Sequence, residues 1–484
     1  MNDAHHEARA RETGAPRAGR PFRLTRRIHF VAIGGVGMSG IAEILLQLGF
    51  EVSGSDLSSN ANAERLAGLG AEVHVGHDAA HVGDADVVVY SSAVPSTNPE
   101  LVRARERGIP VIRRAEMLAE LMRLQHGIAI AGSHGKTTTS SLVATVLQGG
   151  GLDPTVIVGG RLQALASTAA LGEGEYLVAE ADESDGTFLR LSPTLAVVTN
   201  VDREHLDHYK DMDAVRQAFV DFMDRVPFYG KIIACADDPE LARLLPRVRW
   251  PAITYGTAEG VDVRVQVMGT DAAGTRVKLW EGDRELGSCR LPLFGAHNAL
   301  NAAAAVACGL ELGLEFDAIA TALEGFQGVG RRLEMKGEVD DVLVVDDYGH
   351  HPTELAVTLR ALRANFPERR LVVLFQPHRY TRTRDHHAEF ADVLAQADVA
   401  GLLPIYPASE TPIVGVESDL ITSRLRDDHG VRTRSLVGLD DACAWAREEA
   451  RPGDLWLTQG AGDIARLAGR LLDALRDRPK GEDA

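Results

Sequence analysis

The chain has 484 residues, 45% of them hydrophobic and 25% charged, with a formal net charge of −18. That length exceeds what one core organises, so two to four domains of a globular protein are expected. The acidic balance argues against a general nucleic-acid binder, and no apolar run approaches the roughly 20 residues of a membrane helix. Cys235, Cys289, Cys308 and Cys443 form no CxxC pair, so free thiols in the cytoplasm, without a zinc site, are the simple reading.

Residues 1–21 lack the apolar stretch of a secretory signal and read as a disordered tail. Residues 22–125 open with "RIHFVAIGGVGMSGIAEILLQLGFEVSGSD", a strand, a glycine turn, a helix-period run and a second strand ending at Asp56. "ADVVVYSSAV", "NPELVRARERG" and "IPVIRR" continue as strand, helix and strand, the alternation of a parallel, doubly wound sheet. Gly35, Gly37 and Gly40 satisfy GxGxxG, with Asp56 about 20 residues on. Taken alone the motif suggests NAD, but its physics suits any diphosphate, a UDP-linked ligand included, and tight packing without a ligand stays open.

Residues 126–330 begin with "AIAGSHGKTTTSS", a strand, a loop and a helix start. Gly132 and Gly135 let backbone amides turn toward phosphate oxygens, Lys136 supplies a point charge, and Thr137 can place its hydroxyl on Mg²⁺. The spacing GxxGKT is two residues shorter than that of common phosphate loops, which disfavours a generic motor or switch. Two apolar strands follow. The first ends in "EADESD", whose Glu180, Asp182, Glu183 and Asp185 offer the hard oxygens Mg²⁺ needs. The second ends in "TNVDREHLDHY", bringing His205, Asp207 and His208 to a similar edge. "VDVRVQVMG" and "GTRVKLWEG" alternate as an antiparallel hairpin, and "GAHNALNAAAA" sets His297, Asn298 and Asn301 at a helix start, as caps or base contacts.

Residues 331–484 repeat the alternation in "VLVVDDYG", "RLVVLFQP", "VAGLLPIYP" and "DLWLTQGAGD". Arg379 and Arg382 follow one strand three residues apart, suited to a carboxylate or phosphate. The fold class read from these patterns is α/β, with chemistry at the carboxyl ends of the strands.

"GxGGxGMSGIA", "SSAVP", "HGKTTT", "EADESD", "GxHNxxNAxAA", "DDYGHHPTE" and "FQPHRYTRT" occur in the order seen in the Mur ligases, which the sequence resembles from about Arg27 to the C-terminal "GAGDI". His134 and the "FQPHRYTRT" run resemble the alanine-adding branch in particular. The resemblance implies three domains: an N-terminal Rossmann-like one holding a UDP-sugar, a central one binding ATP on a mostly parallel sheet, and a C-terminal Rossmann-like one for the amino acid. It implies UDP-N-acetylmuramate and L-alanine as substrates, two Mg²⁺ ions, peptidoglycan precursor synthesis, and a monomer or weak homodimer without nucleic-acid or membrane partners.

Carried over, Gly34, Gly35, Gly37, Met38, Ser39, Gly40 and Asp56 belong to the UDP-sugar. Gly132, Ser133, His134, Gly135, Lys136, Thr137 and Thr138 belong to the ATP phosphates, with His297, Asn298 and Asn301 near adenine and Arg332 and Asp347 on the nucleotide. Thr137 and Glu180 would hold one Mg²⁺ and His205 the other, while Tyr348, His350, Arg379 and Arg382 line the alanine pocket. Lys136, His205, Arg379 and Arg382 are the implied catalytic residues. Two departures stand out: Ser133 where threonine is commoner, which keeps the hydroxyl, and Glu204 where many members carry aspartate. A recycling ligase that attaches murein peptide is the alternative within the superfamily. An NAD-dependent oxidoreductase would leave "HGKTTT" and the acidic cluster without a role.

Overall fold

The computed structural model describes residues 22, 24–162, 167–271, 273–408 and 410–478; the expected N-terminal tail lies outside them. The described residues build three sheets. The first is wholly parallel, in the order Glu72–Val75, Glu51–Asp56, Arg27–Val31, Val87–Tyr90, Val111–Arg113. Its central strand is buried at every position after the first, as expected of a sheet covered by helices on both faces.

The second sheet has ten strands. At its centre Lys231–Cys235, Leu195–Val198, His126–Ala131 and Tyr176–Glu180 lie side by side and parallel. Neighbours here are far apart in sequence. The strand order therefore brings three loops to one edge: residues after Ala131, after Glu180 and after Val198. The expected hairpin appears as Val263–Asp271 paired antiparallel with Gly274–Glu281, and a third strand, Arg284–Leu291, extends it.

The third sheet runs Glu334–Val339, Val342–Asp347, Asp454–Gln459, Arg370–Phe375, Val399–Leu402, Arg432–Ser435; its first pair is antiparallel and the rest parallel. Asp347 and Gln459 thus end neighbouring parallel strands side by side, and Gln376 leaves the next strand at the same end.

One apolar core runs from Ile28 and Phe30 of the first sheet through Leu118 and Met122 into Ile128 and Ile130 of the second. The helix Val36–Gln47 packs on the strand Ser167–Ala170, and a side chain at Gly40 would crowd Ala169 Cβ at 3.2 Å. The third sheet has its own cores on its two faces, around Phe375 and Phe390 and around Trp445 and Trp456. It meets the central domain through polar pairs such as Thr353–Asp202 and through Phe294, which packs against Phe366 and the core around Phe375.

Candidate active site

The strand His126–Ala131 runs into Gly132 and Gly135, both at positive φ (133° and 83°), and the helix Lys136–Gly149 starts directly after. Only glycine enters this loop without strain. A side chain at Gly132 would collide with the Thr199 hydroxyl, and one at Gly135 would stand 2.8 Å from Asn301 Oδ1. No side chain caps the helix, so its first-turn amides and positive end are open to an anion. The loop is braced from the neighbouring strand: Ser133 N–H donates to Asn200 O (3.2 Å), His134 N–H to Asn200 Oδ1 (2.8 Å), and Thr199 Oγ1 to His134 O (2.6 Å).

Lys136 Nζ donates to Gly132 O (2.6 Å) and to Glu183 Oε1 (2.9 Å). Burial alone would favour its neutral amine, but Glu183, Asp182 and Glu204 outweigh it and raise its pKa, so Lys136 is a firm cation. Glu180, half-buried and with its pKa raised by desolvation, accepts Gly159 N–H at 2.8 Å and Ser140 Oγ at 3.4 Å, and the Thr137 hydroxyl is near enough to act on its charge. Thr137 and Glu180 therefore lie together, and a hydroxyl with a carboxylate is a donor pair that fits Mg²⁺. His205 stands elsewhere, 3.4 Å from Glu183 Oε1 and 3.7 Å from Glu204 Oε2. Its φ of 57° is a strained value for a residue with a side chain, of the kind that concentrates at functional sites.

Asn298 and Asn301 are buried behind the loop. Asn301 Nδ2 donates to Asn298 Oδ1 (3.0 Å), and Thr139 Oγ1 to Asn301 Oδ1 (3.1 Å), so this pair ties one helix start to the other. Burial pulls the neighbouring His297 down to about 4, leaving it neutral.

From the third sheet, Asp347 spends both oxygens on the protein, accepting Leu333 N–H (2.9 Å), Gly349 N–H (2.8 Å) and Gln459 Nε2 (2.8 Å). Arg332 lies over the Tyr348 ring, 5.1 Å from its centroid. His350 and His378 approach at 5.2 Å between rings, and Arg382 Nη1 is 3.3 Å from His378 Nδ1. Burial and nearby arginines hold His350 at about 3 and His378 at about 4. Arg379 has φ 72°, a second strained residue at the site.

The first domain contributes differently. Gly34 N–H donates to Asp56 Oδ2 (2.9 Å), Met38 and Ser39 are buried, and Gly37 lies where a Cβ would be 3.2 Å from the Arg114 guanidinium. Three residues escaped sequence reasoning as site members: His378 stands within a motif already noted, Glu204 was the departure beside His205, and Arg114 had no local signal. Glu183, one of the four carboxylates read from the sequence as offering oxygens to Mg²⁺, is the one that takes Lys136.

Two sheets meet at this site. Thr353 Oγ1 donates to Asp202 Oδ2 (3.0 Å), and the same oxygen is 2.9 Å from His134 Nε2. The phosphate loop, the loop bearing Asp202 and Glu204, and the third-domain loop bearing His350 and His351 thus meet at one junction.

Comparison with known proteins agrees with this layout. Three family models match in order: "Mur ligase family, catalytic domain" over residues 27–126, "Mur ligase middle domain" over 130–309, and "Mur ligase, glutamate ligase domain" over 331–462. A UDP-N-acetylmuramate–L-alanine ligase of Solidesulfovibrio magneticus is 53% identical over 453 residues, 93% of this chain and 98% of that protein. One from Koribacter versatilis is 52% identical over 461 residues, 94% and 98% of the two chains. The crystal structure of the UDP-N-acetylmuramate-alanine ligase MurC from Thermotoga maritima superposes with a TM-score of 0.80 at 28% identity, covering 94% of this chain and 100% of that one. A murein peptide ligase from Psychrobacter arcticus gives 0.70 at 25% identity, covering 93% and 99%. With three consecutive models and full-length relatives in agreement, the chain belongs to the Mur ligase family.

Proposed function

We propose that this protein is an ATP-dependent ligase that joins L-alanine to the lactyl carboxylate of UDP-N-acetylmuramate, giving UDP-N-acetylmuramoyl-L-alanine, ADP and phosphate. The observation that carries it is Lys136 at the uncapped start of its helix, held by Glu183 where three strand ends converge. The names of full-length relatives near 50% identity supply the substrates. The recycling ligase is the weaker reading, since its structural likeness is lower than that of the alanine ligase.

In this reading the lactyl carboxylate attacks the γ-phosphorus, and charge spreads over the transferring group. Lys136 and the helix amides meet that charge, the phosphate drawing the ammonium away from Glu183. Magnesium, when bound, supplies further neutralisation. Thr137 with Glu180 would hold one ion, and His205 with Glu183 and Glu204 a second. The acyl phosphate is then attacked by the neutral amine of alanine. Arg379 and Arg382 suit its carboxylate, and His350 and His378, held neutral by burial, can accept a hydrogen bond or proton from its nitrogen. Closure across the Thr353–Asp202 contact keeps water from the acyl phosphate.

We assign residues 22–125, 126–330 and 331–484 to the UDP-sugar, ATP and amino-acid domains, and the protein to the cytoplasm as a monomer or weak homodimer. Phosphate release tests the reaction. It should require ATP, Mg²⁺, UDP-N-acetylmuramate and L-alanine together, with a product mass of the alanyl adduct. Release with a murein peptide but not with alanine would move the protein to the recycling ligase, and no release in either case would refute the catalytic reading.

A further inference from the structure

One cluster at the junction of the central and third sheets includes a buried histidine, His351, that the reaction leaves without a role. His134, Glu204 and His351 each present a ligand atom, all within 4.8 Å of one another. His351 is 5% exposed, and neither of its ring nitrogens has a hydrogen-bond partner; His134 Nδ1 is likewise buried without a hydrogen bond, Glu354 Oε1 standing 3.7 Å from it. Buried polar atoms normally find partners, so three orphan nitrogens in one place call for a ligand. The rings lie near-parallel, 28° between planes with centroids 5.7 Å apart, and Glu204 Oε1 is 3.7 Å from His351 Nδ1.

We infer that His134, Glu204 and His351 form a site for a transition-metal cation of the Zn²⁺ class, bridging the phosphate loop to the third domain. Two imidazoles and one carboxylate suit Zn²⁺ and its neighbours, whereas Mg²⁺ prefers oxygen. The surroundings fit: Asp202 lies 2.9 Å from the other nitrogen of His134, orienting the ring as carboxylates orient metal-bound histidines. Glu354 lies 3.7 Å from His134 Nδ1 and adds negative charge. Burial would lower the His134 pKa, but Asp202 and Glu354 raise it to about 10, so the cation must displace a proton there. His351, which burial holds near 3, is already neutral. Because His351 comes from the third domain and the other two ligands from the central one, occupancy would pin the two domains together. The site is separate from the Thr137–Glu180 pair and shares only Glu204 with His205.

The test uses the full chain without nucleotide, dialysed against Zn²⁺, with Co²⁺ as a spectroscopic stand-in. Wild type should retain one Zn²⁺ and show visible Co²⁺ bands of a nitrogen-oxygen site. His351→Ala and His134→Asn should each weaken retention at least about tenfold, with unchanged circular dichroism, while His205→Ala keeps it. No retention by wild type, or retention unaffected by both His351→Ala and His134→Asn, would overturn the assignment. So would loss in His205→Ala, which would put the ion among Glu183, Glu204 and His205.

Discussion

Two glycine-rich turns open the first and central domains, each leading from a buried strand into a helix with no side-chain cap, and they are built for different ends. In the central turn both loop glycines have positive φ, and a lysine starts the helix. In the first, Gly35 has an ordinary φ of −61°, Val36 starts the helix, and the next residues pack inward. Its nearest cation, Arg114, comes from a different helix. The same strand–turn–helix plan thus yields a charged phosphate grip in one place. In the other it yields a packed turn that borrows its charge from elsewhere.

The largest break in this comparison is Lys136→Ala. Removing the cation at the γ-phosphate should lower phosphate release on the order of 10³-fold. UDP-N-acetylmuramate binding, followed by calorimetry, should stay largely intact. Equal loss of both in a folded protein would contradict the division of roles between the two turns.

Backbone substitutions sharpen the contrast. Gly132→Ala places a side chain at φ 133° against Thr199 and should cost about 3 kcal/mol in denaturant unfolding. Gly35→Ala, whose nearest non-neighbour atom would be Ala32 O at 3.5 Å, should cost under about 1 kcal/mol.

Buried charge differs between the regions too. Glu183 in the central domain holds a reactive lysine, whereas Glu100 in the first is enclosed by Ser55 (2.6 Å), His81 (3.1 Å) and His77 (3.2 Å) and is fully buried. Burial would raise the Glu100 pKa, but the His29 ring 3.7 Å away and the hydrogen bonds of Ser55 and His81 bring it to about 2. A carboxylate lowered on folding stabilises above its unfolded pKa, near 4.5, and that contribution disappears as pH falls toward 2. Glu100→Gln should therefore destabilise by about 2 kcal/mol at pH 7 and by little near pH 2, as read by thermal unfolding across that range.

The smallest effect is expected for Thr353→Val, which removes one hydrogen bond across the domain junction. About 1 kcal/mol should appear as weaker closure, a severalfold rise in the KM for alanine with the melting temperature nearly unchanged. A melting temperature that falls with no change in KM would make the contact merely structural.

Local chemistry was legible in the residues themselves. Glycines at 132 and 135, a lysine and threonine after them, and acids closing an apolar strand already said phosphate and Mg²⁺, because those functions need particular residue types at short spacing. Alternating apolar runs likewise announced three α/β units. What the sequence could not say is which distant groups meet. Glu180 and Glu183 close the same strand, yet Glu180 turns to Thr137 and Gly159 while Glu183 takes Lys136 and His205. Asn298 and Asn301, open as caps or base contacts, turn out to brace the loop from behind, and Arg114 reaches a turn in another part of its own domain. His134 and His351 meet across two sheets. These pairings follow from strand order. A parallel sheet sets strands side by side that are remote in the chain, so the groups at their carboxyl ends become neighbours only once the sheet has formed and the third domain has closed over it.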